Sequence, residues 1–269
     1  LFDRVLGEKG IAVLNMDDPF GATMRLIAQG RKQEVITVGA LECCDLRILN
    51  TRYDGDGQEL RFSWRGDVHG VRLGLIGSFQ ASNALMAAGL AIACGEDPDA
   101  VFNTLSGLET VRGRMQLAAT RNNGAKVFVD YSHTPDSLKT ALQALRPHTL
   151  GRLIVVFGAG GDRDKGKRPF MGKAAAEFAD VVFVTDDNPR SEDPAVIRAE
   201  VMAGCPDASN VGDRAEAILR GVDALQPGDT LLIAGKGHET GQEIGDDILA
   251  FDDVEQASIS VATLEELGA

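Results

Sequence analysis

The sequence is short of basic residues, cysteine and aromatic rings, and each shortage removes a class of function. Only 27 Lys and Arg stand against 40 Asp and Glu, a formal charge of −13. Nucleic acids and anionic membrane surfaces need clustered cations, so neither is expected as a partner. No stretch approaches the roughly 18 apolar residues that span a bilayer, although 44% of the chain is hydrophobic. That content suits an aliphatic core. Cys43, Cys44, Cys94 and Cys205 show no C-x-x-C spacing, which removes the usual zinc and redox frameworks. They read as reduced thiols in or near the core, with the adjacent Cys43–Cys44 pair as a reactive or metal-binding alternative. The start, Leu1-Phe2-Asp3-Arg4, has neither an initiator Met nor a signal-peptide pattern and reads as a cut end.

What is present divides into two textures, and 269 residues suffice for two domains. The first half has an apolar strand at 10–15, a short helix through Met24 to Gln29 and a strand around 34–38. Runs at 46–53 and 58–64 flank Asp54-Gly55-Asp56-Gly57, a hairpin signature, with a further strand at 71–75. A small-residue helix over 82–93 and a shorter one at 98–105 follow. Residues 108–115 read as a linker, with Gly113-Arg114 as a hinge candidate. Beyond it, strands at 126–129, 153–157, 181–185 and 230–234 alternate with helices after Thr134-Pro135, Arg168-Pro169 and Asp193-Pro194, and near 214–225 and 254–266. Continuous aliphatic strands alternating with helices predict a parallel sheet covered on both faces, a Rossmann-like domain.

Ligands of such sheets bind where strands end and loops begin. Asp130-Tyr131-Ser132-His133 offers a carboxylate for ribose hydroxyls and rings for a base, or merely satisfies its own turn. A Ser-His-Asp triad within it is disfavoured by the residues' proximity in sequence. Gly158 to Pro169 combines glycines with Arg163, Lys165, Lys167 and Arg168, a local positive patch. Arg163 stands where a dinucleotide fingerprint needs its third glycine, and no G-x-x-x-x-G-K-[ST] loop occurs anywhere. In Thr185-Asp186-Asp187-Asn188-Pro189-Arg190, the guanidinium suits a carboxylate while Asp187 and Asn188 suit an ammonium group. An internal Asp187–Arg190 ion pair is the plain alternative. In Ala234-Gly235-Lys236-Gly237-His238-Glu239, Glu239 can receive a second ammonium, and Lys236 or His238 can serve the anionic end.

These four segments in this order resemble the Mur ligases. So do Asn15-Met16-Asp17-Asp18-Pro19, Gly77 to Asn83 and Gly113-Arg114-Met115. The resemblance covers essentially the whole chain. It implies an α/β architecture: the trailing part of a central ATPase domain over 1–112, then a Rossmann-like amino-acid-binding domain over 113–269. It implies a three-domain bacterial cytoplasmic enzyme of peptidoglycan synthesis, using ATP and Mg²⁺. A D-glutamate carboxylate of UDP-MurNAc-L-Ala-D-Glu becomes an acyl phosphate, which an incoming amine attacks. On matching positions, Asn83, Arg114, Asp130, Tyr131 and His133 would contact the nucleotide. Arg163, Asp187, Asn188, Arg190, Gly235 and Glu239 would bind meso-diaminopimelate. The Asp187-Asn188-Pro189-Arg190 form resembles the diaminopimelate-adding subgroup, since the extra carboxylate needs an arginine that would repel a lysine side chain.

Departures from the family pattern bear on activity. Gln80 and Ala81 stand where an Asn and a larger aliphatic are expected. The phosphate-binding loop and the UDP-binding domain are not among these residues, and the chain starts just after the family's carbamylated lysine. The catalytic residues are therefore expected elsewhere, and this chain alone is expected to be inactive. A lysine-adding or folylpolyglutamate-type ligase, or a non-catalytic amino-acid or nucleotide binding module, remain the alternatives.

Overall fold

The computed structural model describes residues 4–7 and 9–268, so the reading of Leu1-Phe2-Asp3 as a cut end lies outside the described residues. The chain divides into two compact units, Leu1–Glu109 and Thr110–Ala269.

The first unit contains β1 (Ile11–Asn15), α1 (Gly21–Gly30), β2 (Glu34–Gly39), β3 (Leu46–Asp54), β4 (Gly57–Trp64), β5 (Asp67–Leu73), α2 (Phe79–Ala93) and α3 (Pro98–Thr104). Its sheet runs in that strand order, with β1–β3 parallel and β3–β5 antiparallel. The expected turn joins β3 to β4, where Asp56 N–H donates to Asp54 Oδ1 at 2.9 Å. β5 starts earlier than its apolar run suggested, because Arg65 and Gly66 both take positive φ and close a second hairpin at Trp64↔Asp67. Helix α2 buries Ala81, Ala84, Leu85, Ala88 and Gly89. Small residues on that face let it lie close to a core that includes Leu46, Leu60, Phe62 and Leu73.

The second unit contains β6 (Gln116–Thr120), β7 (Lys126–Asp130), α4 (Pro135–Leu145), β8 (Leu153–Phe157), α5 (Lys167–Phe178), β9 (Val181–Val184), α6 (Pro194–Met202), β10 (Ser209–Asn210), α7 (Arg214–Asp223), β11 (Thr230–Ala234), the hairpin β12 (Gly241–Ile244) and β13 (Asp247–Ala250), and α8 (Asp253–Glu266). The sheet order is β10-β9-β8-β11-β7-β6, parallel except at β6–β7. Every residue of β8 and β11 is buried, as strands covered on both faces must be. Thr134 caps α4 by accepting from Ser137 N–H, with Pro135 opening the helix. Asp193, Asp213 and Asp252 cap α6, α7 and α8 likewise. Strands β6 and β10 and the β12–β13 hairpin are additions to the sequence reading.

The expected Gly113–Arg114 hinge is fastened inside this unit. Gly113 N–H donates to Gln116 Oε1 at 2.8 Å, and Met115 N–H to Asp130 Oδ2 at 2.9 Å. The thiols divide: Cys44 and Cys205 are buried, whereas Cys43 and Cys94 are exposed, contrary to a uniform placement near the core.

Candidate functional site

Register puts the four loops side by side. Ala234 pairs with both Asp130 and Phe157, and Phe157 pairs with Val184, so β7, β11, β8 and β9 end at one level. The loops at 131–134, 158–166, 185–193 and 235–240 therefore rise from one sheet edge.

At the β7 end, Asp130 is buried. One oxygen takes the Met115 N–H and the other the Ser132 hydroxyl. Both oxygens thus serve the protein's own turn, and only their second lone pairs remain for a ribose. His133 Nδ1 faces Tyr131 O at 2.8 Å, so Ser132 and His133 form no nucleophile–base pair. The Tyr131 ring lies 4.6 Å from His133 and 5.0 Å from His238, with the Arg114 guanidinium 4.8 Å above it. Arg114 and His133 are exposed, whereas Tyr131 is half-buried as their floor.

The positive patch after β8 is largely neutralised. Arg168 is fully buried, with Glu192 at 2.9 Å and Glu200 at 2.6 Å, and Lys165 reaches Glu192 at 2.9 Å. Lys167 donates to His133 O at 2.8 Å. Arg163 stays exposed, and among the described residues its side chain donates to its neighbour's carbonyl, Asp162 O, at 3.0 Å. Nor are all the glycines there free for an anion: a Cβ on Gly161 would fall 1.9 Å from Pro189 O, so that glycine lets the 185–193 loop pack down. Arg168 with Lys165 depresses the Glu192 carboxyl from 4.5 to about 2. A depressed carboxylate contributes stability that is complete above the unfolded value and is lost as pH falls through the folded one. Glu192→Gln is therefore expected to be less stable than wild type at neutral pH, with the gap closing from about pH 4.5 towards 2. Urea unfolding across that range checks this; a gap independent of pH would contradict it.

The loops after β9 and β11 interlock. Asp187 is 9% exposed; its Oδ1 accepts the Asn188 N–H at 2.8 Å, while Oδ2 has no hydrogen-bond partner. Gly235, at φ +121°, makes room for that oxygen, since a Cβ there would meet it at 2.5 Å. Asn188 Nδ2 donates to Glu239 at 3.0 Å, and Asn188 Oδ1 accepts from Lys236 Nζ at 2.5 Å. Lys236 also donates to Gly241 O at 2.8 Å and is fully buried. It braces the loops and does not serve the anionic end of a ligand. Burial lowers its ammonium pKa, with Asp187 opposing. The plain Asp187–Arg190 ion pair does not form; Arg190 Nε lies 2.6 Å from Glu243 Oε2 instead.

Two family models match, the Mur ligase middle domain over residues 1–91 and the glutamate ligase domain of Mur ligases over 113–237. The chain belongs to the Mur ligase family. It is 50% identical over 265 residues to a UDP-N-acetylmuramoyl-L-alanyl-D-glutamate–2,6-diaminopimelate ligase of Zymomonas mobilis, covering 97% of this chain and 54% of that protein. It is 49% identical over 254 residues to the like-named ligase of Caulobacter vibrioides, covering 94% and 52%. A solved structure of a ligase of that name superposes with TM-score 0.70 at 35% identity, covering 95% of this chain and 54% of that one. A MurF ligase from Thermotoga maritima in complex with ADP shares the fold, with TM-score 0.68 at 20% identity, covering 97% and 55%. The chain thus spans about half the length of the curated relatives it matches.

Within this Mur ligase chain, the second unit gathers Arg114, Asp130, Tyr131 and His133 around the β7 end, and Asp187, Asn188, Arg190, Gly235 and Glu239 around the β9 and β11 ends, with Gly235 N–H donating to Asp130 O at 3.1 Å where the two groups adjoin. Asn83 stands exposed on α2 of the first unit, donating to Gln80 Oε1 at 3.2 Å. The sequence reading missed Gln242 and Glu243. The turn pair Gly245-Asp246 between two short runs was the available signal, since Gly-Asp is a two-residue hairpin turn. Buried Arg214 carried no such signal. Among the described residues no group of three or more His, Cys, Asp or Glu side chains could hold a metal ion, and no helix is long and apolar enough to cross a membrane.

Proposed function

We propose that this chain supplies the acceptor-binding part of an ATP-dependent ligase that joins meso-diaminopimelate to UDP-MurNAc-L-Ala-D-Glu in cytoplasmic peptidoglycan precursor synthesis. The observation that carries this reading is the convergence on interlocked loops of Arg190, held by Glu243 and Gly161 O, with Asp187, whose Oδ2 makes no hydrogen bond and lies 3.9 Å from Arg214 NH1, and with Glu239, which accepts from Asn188. A zwitterionic amino-acid end fits that arrangement: its carboxylate turns to Arg190, and its ammonium group to Asp187 and Glu239. Lysine lacks the distal carboxylate and would set its ammonium group near the guanidinium. The names of the relatives support the same acceptor and the UDP-linked co-substrate.

For ATP, the exposed Arg114 and His133 over Tyr131 are the groups that would meet the nucleoside end. Asp130 fixes the turn that presents Arg114, and Asn83 is the proposed adenine contact. Among the described residues no group of three or more His, Cys, Asp or Glu side chains could hold a metal ion, so Mg²⁺ would depend here on the ATP phosphates for most of its ligands. Arg163, exposed and donating to the neighbouring Asp162 O, would meet the acceptor's other carboxylate. What this chain's residues do is hold the amine-bearing acceptor in one orientation, which converts part of the entropy of a bimolecular attack into binding. Calorimetric titration of the 269-residue chain tests the reading, with meso-diaminopimelate expected to bind and L-lysine not. Equal binding of both, or of neither, would remove it.

A further inference from the structure

The β12–β13 hairpin touches the 187–190 loop at five polar groups: Asp187 O, Asn188 Oδ1, and the N–H, carbonyl and Nε of Arg190. Gln242 Nε2 donates to Asp187 O at 2.7 Å, and Glu243 N–H to Asn188 Oδ1 at 3.1 Å. Arg190 N–H donates to Glu243 O at 3.0 Å and Gly245 N–H to Arg190 O at 2.8 Å, a parallel bridge between Arg190 and Ile244. Arg190 sits at φ +51°, a left-handed conformation that a branched or long side chain adopts only when its surroundings hold it there. The same hairpin also grips the side chain. Glu243 Oε2 lies 2.6 Å from Arg190 Nε, while the other side of the guanidinium is tied by NH1 donating to Gly161 O at 2.9 Å.

We propose that Glu243 is a positioning residue that fixes the Arg190 guanidinium for an incoming carboxylate and so sets the pocket's preference for an acceptor carrying one. The proposal rests on the reading of Arg190 given above. A guanidinium carries five N–H donors in a rigid fork. With one donor given to Glu243 and one to Gly161 O, three of the five remain, all on NH1 and NH2, enough for the two oxygens of one carboxylate. The restraint also acts before binding. A loose arginine loses rotamer freedom when it grips a ligand, whereas one held at two points has little left to lose. Glu243 is 42% exposed against 20% for Arg190, so the pair sits at the rim, where changing Glu243 leaves the sheet intact.

Two readouts test this on the 269-residue chain. In the first, arginine Nε is labelled with ¹⁵N, and the Arg190 signal is assigned by its loss in Arg190→Ala. Relaxation is expected to report a rigid Nε–H in wild type and in Glu243→Gln, whose amide oxygen can still face Nε, and a mobile one in Glu243→Ala. In the second, meso-diaminopimelate is expected to bind Glu243→Ala roughly three- to tenfold more weakly, the cost of ordering one long side chain, with recovery in Glu243→Gln and unchanged affinity for lysine. An equally rigid Arg190 in Glu243→Ala, or diaminopimelate binding that stays the same or tightens, would overturn the proposal. If Arg190→Ala loses diaminopimelate while Glu243→Ala does not, the acceptor reading stands and this inference alone falls. If Arg190→Ala binds like wild type, the reading beneath it falls.

Discussion

Asp253→Ala is expected to destabilise the Thr110–Ala269 unit by about 3–5 kcal/mol, the cost of stranding a buried charge. Arg214 and Asp253 have fully buried side chains and meet through two contacts of 2.7 Å each. Burial works against the Arg214 charge, and Asp253 together with Asp187 and Glu239 more than offsets it. The remaining donors reach Ala234 O at 3.1 Å and Asp186 O at 3.3 Å, at the ends of β11 and β9. The pair therefore anchors the two loops that carry Asp187, Arg190 and Glu239. Chemical unfolding of the single variant measures the loss. The double replacement Arg214→Met with Asp253→Leu is expected to be milder, because both fully buried charges leave together and only the longer Arg214–Asp187 contact at 3.9 Å is lost besides. A single variant as stable as wild type, or a double variant worse than the single one, would contradict this account.

Gly113→Ala is expected to cost about 2–4 kcal/mol, the sum of left-handed strain and overpacking. Gly113 has φ +69°, and a Cβ there would stand 2.2 Å from His238 N and 2.3 Å from Gly237 C. Those neighbours are backbone, so the loop itself must move. The displaced atoms adjoin the Tyr131 and His238 rings, 5.0 Å apart, so the change should also disturb the groups proposed to meet the nucleotide. Thermal unfolding measures the first effect, and chemical shifts of Tyr131 and His133 report the second. Wild-type stability in Gly113→Ala would mean that the segment is a slack connector, as its sequence alone suggested.

Strong periodicity made the second unit legible. The β7, β8, β9 and β11 runs of continuous aliphatics have no other use than a sheet buried on both faces, and Thr134-Pro135 and Asp193-Pro194 mark helix starts by local chemistry. Strand β6 escaped because Gln116–Thr120 has no continuous run of large aliphatics and is only half-covered. The site residues could be found as loops but not as partners. Nothing local to Arg168 distinguishes a buried structural arginine from a ligand-binding one; its partners Glu192 and Glu200 are 24 and 32 residues away. The same holds for Lys236, whose partner Asn188 lies 48 residues upstream, and for Arg190, whose carboxylate turned out to be Glu243 and not Asp187. Long-range ion pairing decides which charges are spent inside the fold, and spacing along the chain does not encode it.

The central claim is that Arg190 recognises a distal carboxylate, and a four-corner binding cycle tests it most directly. Wild type and Arg190→Ala would each be titrated with meso-diaminopimelate and with lysine, which differ by that carboxylate. The account predicts that wild type prefers diaminopimelate by roughly ten- to 150-fold, the worth of charge-assisted hydrogen bonds. In Arg190→Ala the two ligands should bind alike. A preference that survives intact in the variant would contradict the account and assign the discrimination to another group.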